Sequence, residues 1–119
     1  MRRIQYHRYG GPEEMLLEEV ELPRPGRGQV RVRVRAASTN PADWKVRAGG
    51  LRLVSGSRFP RGLGHDFAGV VDAIGPAVTR LKVGDEVFGI EGIREAGAFA
   101  DYLVWTENTN LAYSGALAL

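Results

Sequence analysis

The stretch RGLGHDFAGVV, Arg61 to Val71, packs three glycines and a histidine into eleven residues. Three structures compete for such a stretch: a phosphate-binding loop, a metal site and a tight turn. The phosphate reading needs G-x-G-x-x-G between a buried strand and a helix, so that free N–H groups at the helix start face a pyrophosphate. Gly62 and Gly64 have the first spacing, but Phe67 stands where the third glycine belongs, and Ser57-Arg58-Phe59-Pro60 before them is no buried strand. The residues that follow, Ala68 to Gly75, are apolar and β-branched and end at Gly75-Pro76, which predicts a strand. The stretch is therefore expected to turn the chain into a strand, not to cradle a nucleotide.

Outward from that point the chain alternates short apolar segments with glycine and proline, the pattern of a barrel or sandwich. Strands are expected over 2–9, 16–22, 29–38, 68–74, 86–89 and 98–105. In VRVRVRA the alternation is strict, so Val30, Val32 and Val34 face one side and Arg31, Arg33 and Arg35 the other. With no aromatic residues interleaved, the arginine row reads as a solvated strand face, not a nucleic-acid stripe. Sixteen basic and 14 acidic residues leave a formal charge of only +2, which is no nucleic-acid footprint.

With 119 residues the chain is expected to form one domain, 1–119. It has no cysteine, so disulfides, thiolate zinc sites and cysteine nucleophiles are excluded. No apolar run approaches the ~20 residues of a membrane span, and the amino end lacks a signal-peptide core. A cytoplasmic protein with neither a nucleic-acid nor a membrane partner is the expectation.

STNPADWKVRAGG carries the helix signals. Asn40 suits the cap, Pro41 the first helical position, Asp43 falls three residues after the cap, and Gly49-Gly50 ends the helix. Two roles are open for Asn40 and Asp43, because satisfying free N–H groups explains them as well as chemistry does.

In order, NPADWKVRAG (40–49), GHDFAGVVDAIGPAVTRLKVGDEVFG (64–89) and GAFADYLV (97–104) resemble the amino-terminal GroES-like domain of medium-chain dehydrogenases/reductases. The similarity runs from about Gly28 to Leu111 and is closest to the zinc-independent quinone oxidoreductase and enone reductase branch. It implies a mainly β fold: a GroES-like, partly open β barrel with one or two short helices and no Rossmann domain in this chain. In the zinc alcohol dehydrogenases a histidine at the position of His65 binds zinc, but the first thiolate position is Asn40 here, and a zinc site needs about four donors. Only IEGIREA, 90–96, stands where a cysteine-rich zinc lobe would be. No zinc is expected, and His65 reads as a hydrogen-bonded loop histidine.

The resemblance further implies reduction of a small quinone or α,β-unsaturated carbonyl by NADPH. The protein supplies a pocket and donors aimed at the oxygen that gains charge. The candidate catalytic residues by position are Asn40, Asp43, Lys45 and Arg47, with Lys45 as oxyanion donor and Asp43 as its orienting partner. Trp44, His65 and Phe67 are candidates to line the substrate pocket. An exposed helix face is the rival account of Lys45 and Arg47.

Relatives bind the nucleotide in a second, doubly wound domain that these residues do not contain. NADPH is therefore expected to need more than this chain. Residues 114–119 read as a truncated start of the linking helix. Three explanations stand: a fragment or separately encoded half of a reductase, a stand-alone barrel acting as a cofactor-free isomerase or cyclase, and a non-catalytic binding or assembly module. Each leaves a bare apolar face, so a homo-oligomer or a nucleotide-binding partner is expected, with the apolar tail docked.

Overall fold

A computed structural model describes residues 1–50, 58–91 and 96–107. It contains β1 (Arg2–Tyr6), a single 3-10 turn (Pro12–Glu14), β2 (Leu16–Glu19), β3 (Gln29–Ser38), α1 (Pro41–Arg47), β4 (Arg61–Gly62), β5 (Asp66–Ile74), β6 (Glu86–Ile90) and β7 (Tyr102–Thr106). Two antiparallel sheets form, ordered β2-β1-β4 and β6-β5-β3-β7, and they do not close into a complete barrel. This is the mainly β, partly open architecture expected. The tail, 114–119, lies outside the described residues.

The valines of β3 decide which face is the core. Val30 and Val32 are fully buried and pack with Phe67, Val71, Leu81, Val87, Ala98, Leu103 and Trp105, while Val34 is partly buried against the same cluster. Each such side chain contributes about 1.5–3 kcal/mol on leaving water. On the opposite face Arg31 forms a two-pronged ion pair with Asp72 (2.9 and 3.1 Å) and lies over the Tyr102 ring, whereas Arg33 and Arg35 are exposed. The Arg31 pair sits at one of two irregularities in the β3–β5 ladder. Asp72 is the extra residue at the first and Arg35 at the second, and each bulge increases the local twist.

Gly69 explains why β5 carries a glycine in its middle. A Cβ there would stand 2.1 Å from the Arg33 carbonyl oxygen, so the close approach of β3 and β5 requires its absence.

Residues 98–101 do not extend β7 as their sequence suggests. The Phe99 N–H donates to the Leu63 carbonyl and the Phe99 carbonyl accepts from Ile4, while Asp101 N–H donates to Arg2. With the Arg3–Ala100 bridge, the segment stitches one sheet to the other. β4 has only two residues, too few for a sequence period, and β1 and β2 end early because their shared ladder runs only from Arg2–Glu19 to Gln5–Leu16.

A buried carboxylate closes the bottom of the core. Glu107 accepts the backbone N–H groups of Thr79 (3.1 Å), Leu81 (3.2 Å) and Arg80. Burial alone would raise its pKa, but these three donors outweigh burial and hold it below the usual glutamate range.

Candidate functional site

The β3–β5 register places Ser38, the last residue of β3, opposite Asp66, the first of β5. The helix leaves immediately after β3, so the start of α1 meets the His65-Asp66 corner. Asn40 is the extended N-cap (φ −132°, ψ 157°), followed by Pro41. Asn40 and Asp43 form a capping box, whose firm arm runs from the Asn40 N–H to Asp43 Oδ2 at 2.7 Å.

Asp43 Oδ1 accepts from His65 Nδ1 at 2.5 Å, and both residues are buried, at 6% and 7% exposure. Because a carboxylate only accepts, the Nδ1 of His65 carries the proton. His65 Nε2 is buried and has no hydrogen-bond partner among the described residues. Asp66 Oδ2 accepts from Asn40 Nδ2 at 2.6 Å and from Ser38 Oγ at 3.0 Å. Five polar residues, Ser38, Asn40, Asp43, His65 and Asp66, thus form one connected cluster. It borders a shallow depression of about 250 Å³ between the ends of β3 and β5, lined by Ala36, Ala37, Ser38, Asp66, Phe67 and Ala68.

The other candidates divide. Trp44 (52% exposed) and Lys45 lie on the outer face of α1, with Lys45 Nζ 5.7 Å from the Trp44 ring centre. Asp43 does not orient Lys45. Its oxygens are engaged by Asn40 and His65 on the inner face, and successive helix positions point about 100° apart. Arg47 faces away from the cluster, donating through Nε to the Gly10 carbonyl (3.4 Å), while its own carbonyl accepts from Gly10 N–H (2.8 Å). It ties the end of α1 to the loop after β1. Phe67 borders the depression, yet its ring is in the core, edge-on to Trp105 with centroids 5.7 Å apart.

Asp66 and Ser38 are the two members sequence reading missed. The available signal was the pairing implied by two strands separated by the helix, since a carboxylate following His65 gains a partner only once β3 lies beside β5.

The glycines of the opening stretch pack against their own chain. A Cβ on Gly64 would meet the Phe99 ring at 2.8 Å, and one on Gly62 would meet Ala96 O at 2.7 Å and the Arg3 guanidinium at 2.5 Å. Gly64 also has φ +90°, a left-handed turn that favours glycine. Chain packing at Gly62 and the left-handed turn at Gly64 thus account for both glycines. Among the described residues no three His, Asp or Glu side chains converge as a metal site, and no helix is long and apolar enough to cross a membrane.

Two partly open sheets, with a short capped helix leaving β3 beside a polar corner, define a GroES-like domain of the dehydrogenase type. The chain belongs to the alcohol dehydrogenase GroES-like domain family, whose model matches residues 26–114, and within the medium-chain dehydrogenases/reductases it falls in the quinone oxidoreductase branch. It is 40% identical over 113 residues, 94% of its length, to a chloroplastic quinone-oxidoreductase homolog of Spinacia oleracea, covering 34% of that protein. The quinone oxidoreductase structure from Coxiella burnetii superposes with a TM-score of 0.80 at 31% identity, covering 98% of this chain and 39% of that one. The Escherichia coli quinone oxidoreductase, solved with NADPH, gives 0.76 at 26% identity, with 98% and 36% covered. The chain spans about a third of the length of these relatives.

Proposed function

We propose that the chain forms the substrate side of an NADPH-dependent reductase of quinones or α,β-unsaturated carbonyls. The carrying observation is the polar corner of Ser38, Asn40 and Asp66 beside a small apolar depression, next to the helix that exposes Lys45 and Trp44. The likeness to quinone oxidoreductases supports the substrate class. Reduction of such substrates drives electrons onto an oxygen, and donors held in place at that oxygen lower the barrier. Lys45 brings a mobile ammonium and Asn40 an amide N–H. Trp44 offers a flat apolar face to a planar ring. Asp43 and His65 hold the first turn of α1 in position and touch no substrate. In this reading the nucleotide is bound by a separate domain or partner, and self-association or that partner covers the exposed face.

Titration of the purified chain with NADPH and with 1,4-naphthoquinone tests the division of labour. Weak quinone binding, no NADPH binding and no turnover are expected of the chain alone. Turnover is expected once a nucleotide-binding domain is supplied, and Lys45→Met should then lower kcat about 10²-fold, the usual loss for one oxyanion donor. Tight NADPH binding by the chain alone would contradict the proposal.

A further inference from the structure

The Asp66 carboxylate is the hub of the polar corner, and its chemistry dictates the orientation of its neighbour. An ionised carboxylate accepts and never donates. The Asn40 amide must therefore turn its nitrogen toward Asp66, and the 2.6 Å Nδ2–Oδ2 contact shows that it does. Ser38 Oγ donates to the same oxygen at 3.0 Å, leaving no ambiguity about which group accepts. An amide nitrogen has two N–H bonds. One serves Asp66, and the other has no partner among the described residues.

We propose that Asp66 is a positioning residue that holds Asn40 so that its second amide N–H is presented to a ligand oxygen beside the depression between β3 and β5. Without the carboxylate only the capping contact from the Asp43 N–H holds the amide, whose terminal side-chain torsion is broad and roughly two-fold, so it can turn over. It would then present its carbonyl oxygen, repelling the oxygen it should stabilise. His65, the preceding residue, clamps Asp43 from the same corner, so adjacent residues of one turn fix both members of the capping box. The ligand half of the inference rests on the reading under Proposed function. The orientation half does not.

The test is a ¹H–¹⁵N spectrum of the chain. In the wild type the Asn40 side-chain amide should show one proton displaced downfield by the carboxylate and protected from exchange with water. Asp66→Ala should bring the pair to free-amide positions, and Asp66→Asn, which retains a neutral acceptor, should lie between. Ser38→Ala should leave the displacement in place. An unchanged Asn40 pair in folded Asp66→Ala overturns the inference. If that variant does not fold, an unchanged pair in Asp66→Asn overturns it equally. A second arm titrates the same proteins with 1,4-naphthoquinone, with affinity expected to fall about five- to tenfold in Asp66→Ala, the worth of one hydrogen bond. Equal affinity in the two proteins also overturns the inference. Failure of the wild type to bind naphthoquinone refutes the substrate reading, and the amide spectrum still decides the role of Asp66.

Discussion

Replacing Asp43 with alanine should unfold the α1 corner through two separable losses. The Asn40 N–H loses its acceptor at 2.7 Å, the equivalent of deleting a helix cap, at about 1 kcal/mol. His65 Nδ1 loses its acceptor at 2.5 Å while its other nitrogen is buried with no partner among the described residues, and an orphaned buried donor costs about 1–3 kcal/mol. Together these give about 2–4 kcal/mol, a large part of the 5–15 kcal/mol typical of a domain. At roughly 4 °C per kcal/mol for a chain of this size, Tm should fall by about 8–16 °C. Urea unfolding followed by far-UV circular dichroism gives the free energy directly. A cycle with His65→Phe isolates the contact, and a coupling above about 1 kcal/mol is expected, since directly hydrogen-bonded neighbours are non-additive. A single mutant within 0.5 kcal/mol of wild type, or a coupling near zero, would refute the assignment of Asp43 and His65 as the clamp on the helix.

Lys45→Met should change stability by less than about 0.5 kcal/mol, because the side chain is exposed and forms no ion pair among the described residues; chemical denaturation checks this. Phe67→Ala should cost about 3–5 kcal/mol by removing a buried ring packed on Trp105, measured by the same unfolding. Gly69→Ala should destabilise by a few kcal/mol, since its methyl meets the Arg33 carbonyl 2.1 Å away, and should increase amide exchange in β3 and β5. Glu107 has a folded pKa lowered by its three backbone donors, so its contribution is present above the ordinary glutamate pKa of about 4.3 and lost as pH falls through the lower folded value. Glu107→Gln should flatten the loss of stability between about pH 5 and pH 3 in acid titrations of unfolding.

Local rules made some elements legible in the sequence. β3 was readable to the residue because its valines and arginines alternate with period two and one row had to be buried. The helix was readable because Asn40, Pro41 and Asp43 act within one turn of each other. The turn-then-strand course of RGLGHDFAGVV was readable too, from Gly62, Gly64 and the β-branched run that follows.

What the sequence by itself determined is thus the class: short strands, one capped helix and a cysteine-free chain, all consequences of side-chain period and covalent conformational preference. Tertiary structure alone decided the site. The β3–β5 ladder set Ser38 against Asp66 and brought His65 to Asp43, while bonds to Arg2, Ile4 and Leu63 turned residues 98–101 from strand extension into a seam between sheets. The separation of Lys45 from Asp43, by contrast, is local, because residues two positions apart on a helix lie on different faces. The physical reason is one of range: propensity and capping act over a few residues, whereas a hydrogen bond between residues 22 or 26 apart in sequence exists only after the sheet has aligned them.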